Sequence, residues 1–426
     1  MSFLSRAKIA LSHLLPDPLF KRMLSGYHFT MALGSALLFG FPSHKIRVIG
    51  VTGTKGKSST TEMIAAICEA HGWRTAVLNS IRVKVADDTE RNPWRMSMPG
   101  RWVIQQFLAR AVTQKCDIAI LEMTSEGARQ HRHRGIALDA LVFTNLAPEH
   151  IESHGSFENY AAAKYELGLQ LARSSKRPRI MVANADDTQG VRFLTLPVEQ
   201  ALPFSLANNA SYEANDTQGR FRFEDVDIAV PQPGEFSLKN ALAAATVCRA
   251  LGIPAQDIAS GLAHVTSIPG RAERIEEGQN FSVIVDYAHT PDSLEAIYRA
   301  YTTPKIAVLG SMGGSRDGWN RPEKARIAAA HCRHVILTNE DPCDDDPRAI
   351  IAEMERGIPA GTSVEIILDR REAIRAALRA ARAGEVVVIT GKGTDPWIYG
   401  AKGARIPWSD AGVAREELHT VLGARA

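Results

Sequence analysis

The chain has 426 residues, of which 45% are hydrophobic and 23% are charged, and these values are typical of a globular enzyme with two or three domains. Its net charge of +3 argues against a nucleic-acid partner. Five scattered cysteines without a C-x-x-C pair argue against a zinc site or a disulfide framework. Together with the absence of a secretory signal pattern, they predict a cytoplasmic location.

Residues 1–45 differ in composition from the rest. Basic residues far outnumber the single acid, Asp17, and an apolar stretch over residues 29–41 is broken by Gly34 and Gly40. This stretch is shorter than the about 20 residues that span a bilayer. Two interpretations stay open: a pair of helices packed on the next domain, which we favour, or peripheral membrane contact through residues 29–41.

Residues 45–61 predict a strand, a phosphate-binding loop and a helix. The loop consists of Gly53, Thr54, Lys55, Gly56, Lys57, Ser58 and Ser59. Glycines let backbone N–H groups surround an anion at a helix N-terminus, the lysine before the serine reaches terminal phosphates, and the serine hydroxyl can bind Mg²⁺. The strict pattern requires glycine where Val51 stands, so this is the variant T-G-T-x-G-K-S. An ordinary glycine-rich turn is the alternative, which Gly-Lys-Ser at a strand-to-helix junction disfavours.

The rest of the chain alternates between strand and helix patterns. Strands are predicted at 47–52, 75–79, 118–123, 140–145 and 179–184, and in a second unit at 282–286, 305–310, 334–339, 364–368 and 386–390. Residues 200–230 predict a small antiparallel appendage, and 238–251 and 371–382 predict helices.

The predicted fold class is therefore α/β. A central parallel-sheet ATPase domain with the phosphate loop covers residues 46–266, and a C-terminal Rossmann-like α/β domain covers 267–426. A short helical segment, 1–45, precedes them. We expect a ligand in the cleft between the two domains.

Several short motifs follow the phosphate loop in a fixed order. They are Glu122 at a strand end, T-N-L-A-P-E-H at 144–150, H-G at 154–155, Y-A-A-A-K at 160–164, N-A-L-A-A at 240–244, P-G-R at 269–271, D-Y-A-H-T-P at 286–291, G-G-S-R-D at 313–317 and G-K-G at 391–393. This order resembles the Mur ligases, ATP-dependent muramyl-peptide amide ligases, over about residues 45–415. The D-Y-A-H-T-P and G-K-G segments look most like the member that adds the third peptide residue.

The resemblance implies a reaction and its residues. A substrate carboxylate attacks the ATP γ-phosphate, and an amino acid then displaces phosphate from the acyl phosphate to form an amide, in the cytoplasm. Two Mg²⁺ ions are expected. The implied roles are phosphate contact for the loop and Lys57, metal binding for Ser58, Glu122, His150 and Lys164, carbamylation for Lys164, and nucleotide contact for Asn240, Arg271, Asp286 and His289. Lys57, Lys164, His150 and Arg271 are the candidate catalytic residues, and Tyr160 and Tyr287 are expected to pack.

Substrate recognition departs from the family pattern. We expect the family's UDP-recognising first domain to be absent or reduced to 45 dissimilar residues, and a serine-serine-histidine run is here Thr124-Ser125-Glu126. The D-N-P-R motif of relatives that use diaminopimelate is here Glu340-Asp341-Pro342-Cys343. Because a thiol cannot grip a carboxylate as arginine does, we expect Glu340, Asp341, Cys343 and Asp395 to form an acidic site for a basic amino acid.

Two alternative functions remain. One is an ATP-dependent ligase of another pathway, of the poly-amino-acid or polyglutamyl type. The other is a non-catalytic ligase-like subunit of an amidotransferase, which the lack of paired cysteines disfavours because such relatives often carry a four-cysteine zinc insertion.

Overall fold

A computed structural model describes residues 17–94, 96–149, 151–209, 211–314 and 318–423. Its strands are β1 (Arg47–Thr52), β2 (Thr75–Leu78), β3 (Arg82–Val85), β4 (Asp88–Arg91), β5 (Ile118–Glu122), β6 (Ala140–Phe143), β7 (Ile180–Asn184), β8 (Gln200–Phe204), β9 (Tyr212–Ala214), β10 (Gly219–Phe223), β11 (Val226–Val230), β12 (Glu273–Ile275), β13 (Ser282–Asp286), β14 (Lys305–Leu309), β15 (His334–Leu337), β16 (Val364–Ile366), β17 (Val386–Thr390), β18 (Trp397–Tyr399) and β19 (Arg405–Pro407).

The helices lie mainly between these strands. They are α1 (Asp17–Leu38), α2 (Lys57–Ala70), α3 (Arg101–Thr113), α4 (Ser125–Arg129), α5 (Ile151–His154), α6 (Phe157–Ala172), α7 (Thr188–Leu194), α8 (Gly234–Ala250), α9 (Ala255–Ala263), α10 (Pro291–Arg299), α11 (Arg321–His331), α12 (Pro347–Glu355), α13 (Arg370–Ala380) and α14 (Asp410–Gly423). Short 3₁₀ turns cover Pro42–Lys45, Gly318–Asn320 and Ala401–Gly403.

The first large sheet has eight strands in the order β4-β3-β2-β5-β1-β6-β7-β8. Strands β2, β5, β1, β6, β7 and β8 run parallel, whereas β3 and β4 add an antiparallel edge. Successive residues of β1 enter different apolar clusters, with Val48 on one face and Ile49 on the other, because side chains alternate across a sheet. The strand that leads into the phosphate loop is thus central and covered on both faces.

The second large sheet has the order β12-β13-β17-β14-β15-β16, with β12 as its antiparallel edge. The other strands are parallel, and helices cover both faces through two apolar clusters. The carboxyl ends of β13, β15 and β17 therefore lie at one edge of this sheet. In such sheets, ligands bind at that edge.

The fold class is confirmed, and every predicted strand from 47 to 184 and from 282 to 390 is present, with its end shifted by at most two residues. One prediction was wrong: β8, assigned to the antiparallel appendage, pairs in parallel with β7 in the main sheet. Only β9, β10 and β11 form the appendage. The alternating exposure of β8 resembles that of an antiparallel strand because it lies at the sheet edge. The division into domains at residue 267 stays a prediction.

The N-terminal segment contains one described helix, α1, followed by a 3₁₀ turn; residues 1–16 lie outside the described part. The buried side chains of α1 are small, namely Ala32, Ser35 and Ala36. Within the described residues, no helix is both long and apolar enough to cross a bilayer. The predicted packing of residues 29–41 on the body therefore describes the side of α1 that carries these three small residues.

Candidate active site

Two glycines shape the phosphate loop between β1 and α2. Gly53 and Gly56 have φ angles of +148° and +81°, which side chains rarely adopt. A Cβ atom at Gly53 would lie 1.9 Å from the Thr144 hydroxyl oxygen, and one at Gly56 would lie 2.1 Å from Asn240 Oδ1. The loop backbone therefore fits against the T-N motif and α8 only because both residues lack side chains.

The T-N motif and α6 hold the loop in place. The Thr54 N–H donates to the Asn145 carbonyl at 2.8 Å, and the Lys55 N–H donates to Asn145 Oδ1 at 2.9 Å. The Thr54 hydroxyl lies 3.0 Å from the Tyr160 hydroxyl. Tyr160, which we expected to pack, is buried but also bonds to the loop, and the role of Asn145 was missed.

Two lysines from different helices meet at one loop carbonyl. Lys164 Nζ on α6 donates to the Gly53 oxygen at 2.6 Å, and Lys57 Nζ on α2 donates to it at 3.1 Å and to the Thr54 oxygen at 2.9 Å. Burial lowers the pKa of Lys57. Burial, aided by the nearby Lys57 charge, lowers the pKa of Lys164 well below its usual value. The Lys164 amine is thus much easier to deprotonate than an exposed lysine.

Hydroxyl and carboxylate oxygens gather beside the start of α2. Ser58 Oγ donates to Glu122 Oε2 at 2.8 Å, and the Ser80 N–H donates to the same oxygen at 3.0 Å. The two serine hydroxyls lie 2.8 Å apart. The described residues contain no group of three or more His, Cys, Asp or Glu side chains placed to hold a metal. A hydroxyl with one carboxylate nevertheless fits Mg²⁺, which usually takes one or two carboxylates together with substrate phosphates and water.

Arg271 brings the C-terminal unit to this cluster. Its Nη2 donates to Ser80 Oγ at 3.0 Å and to Ser58 Oγ at 3.3 Å, while its guanidinium lies over the Tyr287 ring, 4.6 Å from the centroid. Asp286 accepts the N–H groups of Ala272 and Ala288 at 2.6 and 2.7 Å. Asp286 thereby fixes the backbone beside Arg271, and Ser80 is a site residue that no sequence motif indicated.

Glu149 forms a second link between the two units. Its Oε1 lies 3.1 Å from Lys55 Nζ and 2.8 Å from His289 Nε2, and the His289 Nδ1 lies 2.8 Å from the Tyr287 carbonyl. Glu149 is buried, so an ion pair here has little competition from solvent. The next residue, His150, was a predicted metal ligand and catalytic residue and lies outside the described residues.

The structure contains a cavity of about 390 Å³. It lies beside the loop and is lined from both units, by residues that include Gly56, Ser59, Asn240, Arg271 and Asp286. Its volume falls in the range of small-molecule sites. The structure thus brings six of the predicted nucleotide-binding residues around one space, namely these five and Lys55.

The predicted acceptor residues form a separate cluster at the ends of β15 and β17. Lys392 Nζ donates to Asp341 Oδ1 at 2.7 Å and to Asp395 Oδ2 at 3.2 Å, and all three side chains are almost fully buried. Glu340 is buried beside Gly391, where a Cβ atom would lie 2.5 Å from Glu340 Oε2. Two of the three carboxylates are therefore already paired with the lysine of the G-K-G motif.

Cys343 lies on the same side of the unit. It has a φ angle of +54°, and its N–H donates to the Tyr399 carbonyl at 3.0 Å. The neighbouring motif residues 315–317 lie outside the described residues. The position of Cys343 is compatible with the predicted substrate contact, which stays a prediction.

The outermost strand of the first sheet contacts this cluster. Arg91, at the end of β4, donates from Nη2 to the carbonyl oxygen of Thr394. The base of this hairpin is held by Asn92, which donates to the Asn79 carbonyl beside Ser80. The hairpin therefore connects the Ser58–Glu122 cluster with the turn that carries Lys392, a link that no sequence pattern indicated.

Comparison with known proteins gives matches over most of the chain. Residues 51–248 match the Mur ligase middle domain, and residues 270–393 match the Mur ligase, glutamate ligase domain. The chain is 37% identical over 413 residues to the UDP-N-acetylmuramyl-tripeptide synthetase of Roseiflexus sp. (strain RS-1), covering 90% of this chain and 81% of the relative.

Two further relatives agree. The UDP-N-acetylmuramoyl-L-alanyl-D-glutamate–2,6-diaminopimelate ligase of Geobacillus kaustophilus (strain HTA426) is 34% identical over 382 residues, which are 86% of this chain and 78% of that one. A solved structure of a ligase with that name superposes with a TM-score of 0.60 at 28% identity, covering 88% of this chain and 78% of the other.

We expect Arg91→Ala to loosen the turn at residues 391–395, because the substitution removes the guanidinium that holds the Thr394 carbonyl. Amide hydrogen exchange measured by mass spectrometry should become about tenfold faster there, because one charge-assisted hydrogen bond is lost. Arg110→Ala is the matched control, since Arg110 pairs with Asp88 on the same strand within the first sheet unit. Equal exchange in both variants would contradict this role for Arg91.

Proposed function

The chain belongs to the Mur ligase family, and on that premise we propose that it is an ATP-dependent, ADP-forming ligase that adds an amino acid to a muramyl-peptide precursor of the cell wall. The observation that carries this proposal is the phosphate loop facing Arg271 across a cavity lined by Asn240 and Asp286. Members of this family use ATP and Mg²⁺. A cytoplasmic location, and peripheral membrane contact through residues 29–41, belong to the same proposal.

In the proposed reaction the carboxylate of the muramyl peptide attacks the γ-phosphorus of ATP, and the bond to the β-phosphate oxygen breaks to release ADP. The amine of the amino acid then attacks the acyl phosphate, losing a proton and displacing inorganic phosphate. Negative charge must be neutralised and the reacting atoms held in line. We assign phosphate binding to the loop N–H groups and Lys57, and contact with the γ-phosphate to Arg271 of the other unit.

The metal site is proposed at Ser58 and Glu122, with a second ion near His150 and Lys164. When bound, Mg²⁺ would neutralise phosphate charge. Ser80 and Glu122 hold the Ser58 hydroxyl in place at the start of α2. Since Arg271 also touches both serines, closure of the two units and assembly of this site would occur together.

We also propose that Lys164 is carbamylated. A neutral amine adds to CO₂ and loses one proton to become a carbamate, and burial favours the neutral amine by lowering the pKa of Lys164. The carbamate would then lie near the ammonium of Lys57, since both amines contact the Gly53 carbonyl. A carbamate anion beside the Lys57 ammonium forms an ion pair, which supports the proposal electrostatically.

For the acceptor, we propose a basic amino acid such as lysine. Glu340, Asp341 and Asp395 provide three carboxylates, and two of them contact the ammonium of Lys392. The nearby Arg370 does not change this balance, because it forms a buried pair with Asp410. The acidic composition of the cluster supports this choice, because carboxylates suit a side-chain ammonium better than the second carboxylate of diaminopimelate.

Lys57→Ala tests the proposed function. We expect ATP-dependent phosphate release to fall on the order of 10²- to 10⁴-fold, since a preorganised phosphate contact is lost. The assay uses UDP-linked and lipid-linked muramyl dipeptides, crossed with twenty amino acids and diaminopimelate. Lys84→Ala, which removes an ammonium paired with Glu69 on the same sheet unit, should keep full activity. Retention of more than about a tenth of the activity by Lys57→Ala would refute the loop assignment.

Lys164→Ala tests the carbamate. We expect almost no activity, with partial rescue by acetate or propionate, which supply the missing carboxylate. In the native enzyme, recovery of activity after CO₂ depletion should be faster at higher pH. The reason is that the reactive neutral amine is lost as pH falls through the lowered pKa of Lys164. Full activity of the Lys164→Ala variant would refute the carbamate proposal.

The acceptor proposal predicts a kcat/KM for lysine or ornithine at least about tenfold above that for diaminopimelate on the same donor, the usual effect of an unfavourable buried charge. Asp395→Asn should reduce this preference and leave the KM for ATP unchanged. The reverse preference, or an equal effect of Asp395→Asn on all acceptors, would rule it out.

A further inference from the structure

Helix α1 exposes an apolar stripe along its length. Leu19, Met23, Tyr27 and Met31 recur every four residues, and their side chains are 45–51% exposed; Leu37 and Leu38 follow at 67% and 74%. Residues four apart lie on one helix face. Of the fifteen large hydrophobic side chains exposed among the described residues, eight lie on this one helix. Scattered exposed apolar residues are normal, but such a concentration marks an interaction surface.

The opposite side of α1 attaches to the protein through small and polar groups. Ser25 Oγ lies 2.7 Å from His131 Nε2, and the Arg101 guanidinium donates to His28 Nδ1 at 2.7 Å. Ala36 packs on Gly135, where a Cβ atom would lie 2.6 Å from the Ala36 Cβ. These contacts fix the rotation of the helix, so the stripe faces away from the body. The usual arrangement, in which the apolar face of a surface helix packs on the core, is reversed.

The stripe continues onto the body through an aromatic pair. Phe39 and Trp102 meet edge to face with ring centroids 4.8 Å apart, and Trp102, on α3, remains 50% exposed. Tyrosine and tryptophan are the residues enriched at the level of lipid head groups, where an apolar ring and a polar edge are both satisfied. Tyr27 provides such a ring on the stripe, and Trp102 provides one beside the end of α1.

The basic composition of residues 1–47 indicates which kind of partner the stripe contacts. Residues 1–47 contain six basic residues, Arg6, Lys8, Lys21, Arg22, Lys45 and Arg47, and one acidic residue, Asp17. A second copy of the chain would bring the same positive charge to the contact, which opposes a dimer through this face. An anionic bilayer attracts it, by about 1 kcal/mol for each basic residue near the surface.

We propose that α1 is an interfacial helix that docks the protein on an anionic membrane surface, lying parallel to it with the stripe among the lipid head groups. A helix of 22 residues is about 33 Å long, and it is not apolar enough to cross the bilayer. The contact proposed for residues 29–41 thereby extends to Leu19 and gains a defined face. Docking needs no substrate, so it stands or falls independently of the ligase activity.

Vesicle flotation of the full chain tests the proposal. The protein should float with phosphatidylcholine vesicles that contain about 30% phosphatidylglycerol. Binding should be at least about tenfold weaker with pure phosphatidylcholine and should weaken in 0.5 M salt, since surface charge is screened. The variant Met23→Gln/Leu37→Gln/Leu38→Gln should lose binding while keeping its phosphate release in solution.

The matched control replaces exposed apolar residues elsewhere. Val191→Gln/Ile366→Gln/Ile406→Gln changes three side chains that are 46–55% exposed and should bind vesicles like the native chain. Failure of the native protein to float, or unchanged binding by the stripe variant, would overturn the proposal. So would a dimer in light scattering that only the stripe variant abolishes, because a second copy would then cover the stripe.

Discussion

The carbonyl oxygen of Gly53 is the contact on which the candidate site depends. Lys57 and Lys164, from two helices, both donate to it, and it can face them only because Gly53 has no side chain to collide with Thr144. The same turn directs α2 so that Ser58 meets Glu122. The loop thus presents the N–H groups proposed to bind phosphate, and it also gathers two lysines whose pKa values are lowered by burial.

The site is completed across the two sheet units. Arg271 reaches the Ser58–Ser80 pair, His289 reaches Glu149, and Arg91 reaches the turn at Thr394. The C-terminal unit supplies the side chain in two of these contacts and the first unit in one, so the units contact each other beside the phosphate loop and at the turn that carries Lys392. A reaction with a hydrolysable intermediate benefits from such closure, because it excludes water.

The N-terminal helix α1 attaches to the rest of the protein in a different way. Its small residues pack and its large apolar residues face outward, so attachment to the body relies on Ser25, His28 and Ala36 rather than on a hydrophobic face. The membrane proposal is the simplest physical account of an apolar stripe in a segment whose sequence is rich in basic residues.

The sequence by itself determined the α/β class, the central strands and the phosphate loop, because β-branched runs, glycine turns and strand ends are local patterns. Through the motifs, it also indicated six of the residues that line the cavity beside the loop, namely Lys55, Gly56, Ser59, Asn240, Arg271 and Asp286. The tertiary structure decided the rest. Ser80, Glu149 and Arg91 entered the site, and Lys392 paired with Asp341 and Asp395, through contacts between residues distant in the chain. The pairing of β8 and the outward face of α1 likewise depend on which surface each element meets, and no local pattern specifies that.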